Sequence, residues 1–97
     1  MSATSERDDL TQQIAEYERE AARRQRAVEA EARRRTEMAE AARMRGLLFA
    51  ERGQMTQALG DFEEALRLAD EDWQHREQVA ADVAALRTWT AEGARAR

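Results

Sequence analysis

The first glycine in this chain is Gly46 and there is no proline at all, so nothing before residue 46 obliges a helix to stop. Ala, Glu, Arg, Leu and Gln dominate, and their summed propensity favours helix over strand in almost any long window. The chain is therefore expected to be all-α. Ser5, with acidic Asp8 three residues on, suits a helix start, because carboxylates favour the positive end of the helix dipole. A helix from there to Arg45 would extend about 60 Å at 1.5 Å per residue. A single compact domain of 97 residues is too short to cover one that long.

What such a helix does with its length depends on its pattern. Leu10, Ile14, Tyr17, Ala21, Arg24, Val28, Glu31, Arg35, Met38, Ala42 and Arg45 follow alternating steps of four and three, the spacing of a heptad seam. Charge at Arg24, Glu31, Arg35 and Arg45 confines the convincing part to Leu10, Ile14, Tyr17, Ala21 and Val28, which are the expected self-association residues. The competing reading is a solvated helix held by pairs such as Glu20 with Arg24, each worth about 0.2–0.5 kcal/mol.

The remainder is too small to build a deep core. Only 5% of residues are aromatic, and much of the 42% hydrophobic fraction is alanine, which adds little buried area per residue. Self-association or a partner protein would supply the missing burial. Gly53, just after Arg52, is the best helix stop. A second helix fits Gln54 to Ala69, with Met55, Ala58, Leu59, Phe62, Ala65, Leu66 and Ala69 on one face. The cluster Asp70, Glu71, Asp72 suits a third start, followed by Trp73, Val79, Ala80, Val83, Leu86 and Thr90, with Gly93 as the stop. The expected organisation is a disordered tail over 1–5, a long charged helix over 6–38, a helical hairpin with a capping helix over 39–92, and a frayed tail over 93–97.

Taken together, Gly46, Phe49, Gly53, Met55, Ala58, Phe62, Ala65 and Leu66 resemble the tetratricopeptide repeat, in which small residues let two helices approach and aromatics fill the space beside them. A step of thirty-four residues takes Gly46 to Ala80 and Phe49 to Val83, so the resemblance covers about one and a half repeats over residues 39–90. Asp70 stands where the family has its proline, and Arg45 replaces the leucine before the first glycine. The resemblance implies a protein-binding adaptor whose groove is lined by Glu40, Arg43, Met44, Leu47 and Ala50, with Gln74, Glu77 and Ala81 on the capping helix. In the family a basic residue followed one turn later by asparagine clamps a peptide carboxylate. Here Leu47 follows Arg43, which favours a helix or apolar segment in the groove instead.

Other chemistries find less support. His75 is the only histidine, and with Asp72 it makes one Asp-x-x-His pair, too few ligands for a metal centre in one chain. No catalytic triad, phosphate loop or carboxylate pair stands out, so neither enzymatic activity, a small-molecule substrate nor a cofactor is expected. The clusters Arg23, Arg24, Arg26 and Arg33, Arg34, Arg35 suit oxyanions, but Glu18, Glu20, Glu29, Glu31 and Glu37 interleave with them and no aromatics accompany them. With sixteen arginines against twenty carboxylates and a net charge of −4, nucleic-acid or membrane binding is disfavoured. Residues 18–35 carry +3 and residues 51–97 carry −4, which leaves open a purely structural subunit that assembles through charge. Without cysteine or an apolar leader segment the expectation is a cytoplasmic protein, and arginine without lysine suggests a GC-rich bacterial coding sequence.

Overall fold

The computed structural model describes residues 3–96, and among them the regular structure is helical: α1 (Ala3–Glu51), α2 (Met55–Leu68) and α3 (Arg76–Ala96). The long N-terminal helix, the hairpin and the final helix follow the expected order. Contacts divide the chain into two units, one through Glu31 and one from Ala32 onward.

In the first unit every described side chain except the half-buried Ala15 and Ala30 is exposed. Ala3, Thr4 and Ser5 belong to α1, so the tail expected over 1–5 is helical where it is described, and Met1 and Ser2 lie outside the described residues.

The second unit is built on small residues. Ala39, Ala42 and Gly46 of α1 are buried, as are Ala58, Phe62, Ala65 and Ala69 on and just after α2, and Val79 and Val83 of α3. Phe49, Leu59, Leu66 and Leu86 pack partly against them. The approach of α1 to α2 is closest at Gly46, where an added Cβ would lie 2.6 Å from the Phe62 ring. Glycine is required there by space. At Gly53 it is required by conformation, since φ is +75°. The Gln54 N–H donates to the Phe49 carbonyl at 2.9 Å and the Gly53 N–H to the Ala50 carbonyl at 3.0 Å, the pair of hydrogen bonds that closes a helix end with a left-handed residue.

Three expectations are corrected. The third helix starts at Arg76, not at the acidic cluster. The Trp73 N–H donates to the Asp70 carbonyl at 3.1 Å in a tight turn, and the Trp73 side chain turns into the core, 8% exposed. Burying an indole there outweighs an earlier helix start. Second, Ala80 is exposed, with its neighbour Val79 buried instead, so burial does not follow the step from Gly46 to Ala80. Third, α3 continues through Gly93 to Ala96, so the described part of the 93–97 tail is helical and only Arg97 lies outside it. One glycine costs a helix only about 1 kcal/mol.

Candidate protein-binding surfaces

The first candidate surface lies in the unit through Glu31. A step of four and three residues returns to the same side of an α-helix, so the seam residues share one stripe. That stripe is open: Leu10 and Ile14 are each 58% exposed, Tyr17 73% and Val28 64%, and Ala21 is exposed as well. The one charged residue inside it, Arg24, lies 3.4 Å from Glu20 one turn back. Surface pairs of this kind contribute about 0.2–1 kcal/mol and do not hold a helix by themselves.

The second surface lies in the unit from Ala32 onward. Leu47 and Ala50 of α1, Met55 and Phe62 of α2, and Asp82, Ala85 and Leu86 of α3 line an open concavity of about 300 Å³. Its walls are apolar apart from Asp82. Sequence reasoning placed Leu47 and Ala50 on a binding groove, and they border this one. Their neighbours on α3 differ from the expected Gln74, Glu77 and Ala81, all of which are exposed and line no part of it. The reason is the rotation of α3: turning Val79 and Val83 into the core brings Asp82, Ala85 and Leu86 to the groove edge. The spacing of the larger apolar residues Val79, Val83 and Leu86 was the sequence signal that could have found them. Met44 is exposed away from the groove lining.

Glu40 and Arg43 instead belong to a polar cluster. The Arg43 Nε donates to Glu40 Oε1 at 2.8 Å, and Glu40 Oε2 lies 3.4 Å from His75 Nε2. His75 also meets the edge of Trp73 in a T-shaped arrangement, ring centres 5.5 Å apart. His75 thus joins the Asp70–His75 loop to α1, while Asp72 is exposed. Among the described residues no three His, Asp or Glu side chains converge as metal ligands would.

A third feature escaped sequence reasoning. The half-buried Arg76 guanidinium donates to the carbonyls of Leu66 at 3.2 Å, of Ala69, and of Asp70 at 3.0 Å. The Leu66 and Ala69 carbonyls lie at the end of α2, where helix acceptors lack intrahelical partners, while the Asp70 carbonyl also accepts from the Trp73 N–H, and a planar fork of donors suits several at once. Across the elements Arg45 faces Asp61 at 3.5 Å, Arg87 faces Glu63 at 3.5 Å and Arg35 faces Asp70 at 3.9 Å. Asp70 therefore answers an arginine of α1 where a helix cap was expected. At the surface, hydrogen bonds from Arg67 hold the Glu64 carboxyl below its ordinary range, and Glu64 in turn raises Arg67.

Among the described residues no helix is long and apolar enough to cross a membrane. Among the described residues the surfaces belong to a helical structure that carries an open apolar stripe and an apolar groove. No family model, curated protein or solved structure matches it.

Proposed function

We propose that this chain is a non-enzymatic adaptor that self-associates through the N-terminal part of α1 and offers the apolar groove of its tetratricopeptide-like hairpin to a partner protein in the cytoplasm. The observation that carries the reading is the stripe of Leu10, Ile14, Tyr17 and Val28, each more than half exposed on one side of one helix. A long amphipathic stripe of this kind is stabilised by packing against another helix, not by propensity alone. The groove adds a second apolar surface, and its size suits one or two side chains of a helix or extended segment.

The test is light-scattering mass on a sizing column at several concentrations, for the native chain and for Ile14→Asp with Val28→Asp. A multiple of 11.1 kDa is expected for the native chain and about the monomer mass for the double variant. Both positions are exposed, so helical circular dichroism of the second unit should survive. Equal masses for the two proteins would remove the seam from the proposal.

A further inference from the structure

Charge separates along α1 as sharply as apolarity does. Residues 6–20 hold six carboxylates and two arginines, a net of −4, whereas residues 21–35 hold six arginines and two glutamates, a net of +4. Across both segments the described side chains are exposed except half-buried Ala15, Ala30 and Ala32. The apolar stripe therefore lies along two adjoining segments of α1 that have opposite sign.

That polarity discriminates between the two ways of pairing with a second copy. A parallel pair would lay each segment on its own duplicate and stack Arg24 on Arg24 and Glu31 on Glu31 within the seam, which like-charge repulsion opposes. An antiparallel pair lays the acidic segment beside the basic one. We infer that α1 pairs with a second copy of this chain in antiparallel orientation through Leu10, Ile14, Tyr17, Ala21 and Val28. The inference rests on the self-association proposed above and adds its geometry.

The seam also sets a register. In antiparallel coiled coils the two seam positions of the heptad face each other, and placing Leu10 opposite Val28 of the second copy brings Tyr17 onto Ala21, a large side chain on a small one. Arg7 then meets Glu31. Ile14 meets Arg24, whose aliphatic stem covers it while the guanidinium stays near Glu20. The two-fold axis of such a pair passes beside Arg19, and both copies use the same residues.

The chain has no cysteine, so one introduced thiol gives a unique labelling site. We would prepare full-length Gln12→Cys, Arg19→Cys and Ala30→Cys, spin-label each, and measure the distance between the two labels of the dimer by pulsed electron resonance. None of the three lies in the seam. With a rise of 1.5 Å per residue, the axial separations expected are near zero at position 19, about 21 Å at position 12 and about 33 Å at position 30. The label distance should therefore be shortest at 19 and longest at 30. The same distance at all three positions would mean a parallel pair and overturn the inference, as would a dimeric mass in which position 19 does not give the shortest of the three distances. Both leave self-association standing. A monomeric mass for the labelled and native chains alike would overturn the inference and the self-association together.

Discussion

Replacing Gly46 by alanine tests how closely α1 and α2 approach. Inside a helix the change is favourable by about 1 kcal/mol, because alanine loses less backbone entropy. At Gly46, however, the new Cβ would lie 2.6 and 2.7 Å from two ring carbons of Phe62, against the 3.4 Å at which ordinary contact begins. Phe62 is 2% exposed and central to the core, so the ring or the helix must move. Overpacking of this kind costs about 1–3 kcal/mol. Phe62 also borders the groove, and swinging toward that space places the strain near the middle of the range. The net expectation for Gly46→Ala is a loss of about 1 kcal/mol. Gly60 provides the control: it lies in α2 with nothing within 4 Å of an added Cβ, so Gly60→Ala should gain about 0.5–1 kcal/mol. Urea unfolding followed by helical circular dichroism measures both, and adding Phe62→Leu to Gly46→Ala should recover part of the loss. Equal stabilisation by the two glycine replacements would refute the close approach.

Further expectations follow from the polar contacts. Arg76→Gln should lower stability by about 1.5–3 kcal/mol in the same urea experiment, because the carbonyls of Leu66, Ala69 and Asp70 lose a charged donor, and Arg76→Lys should restore little since an ammonium lacks the fork. A cost below about 0.5 kcal/mol would show water replacing the guanidinium. Glu64 should titrate below an ordinary glutamate in a carboxyl-resolved NMR experiment, and Arg67→Ala should return it to the ordinary range. A depressed carboxyl pKa stabilises the fold above the unfolded-state value and loses that contribution as pH falls through the folded-state value. An unshifted Glu64 in the native chain would deny the Arg67 hydrogen bond.

Legibility in the sequence followed the range of the physics involved. The left-handed turn at Gly53 and the packing role of Gly46 could be read directly, since a backbone conformation and a missing Cβ are properties of single residues. The start of α3 could not. An acidic cluster favours a helix N-terminus locally, but Asp70 is drawn to Arg35, Trp73 is drawn into the core, and Arg76 binds the end of α2, all through residues distant in sequence. The groove was half legible for a related reason. Leu47 and Ala50 follow from the tetratricopeptide resemblance and Leu86 from the apolar face of the third helix, whereas Asp82 and Ala85 depend on a rotation of α3 that alanine-rich periodicity leaves loose.

By itself, then, the sequence determined an all-α chain with one long helix, a stop at Gly53, a hairpin tightened at Gly46 and a heptad stripe from Leu10 to Val28. Those features arise from backbone freedom, local propensity and side-chain period, which act over a few residues. Only the tertiary structure decided that Trp73 leaves the helix to close the core, that Arg76 caps α2, and that Ala80, unlike Val79 and Val83, faces outward. Small side chains constrain helix rotation weakly, so contacts with large or charged residues elsewhere in the chain set it.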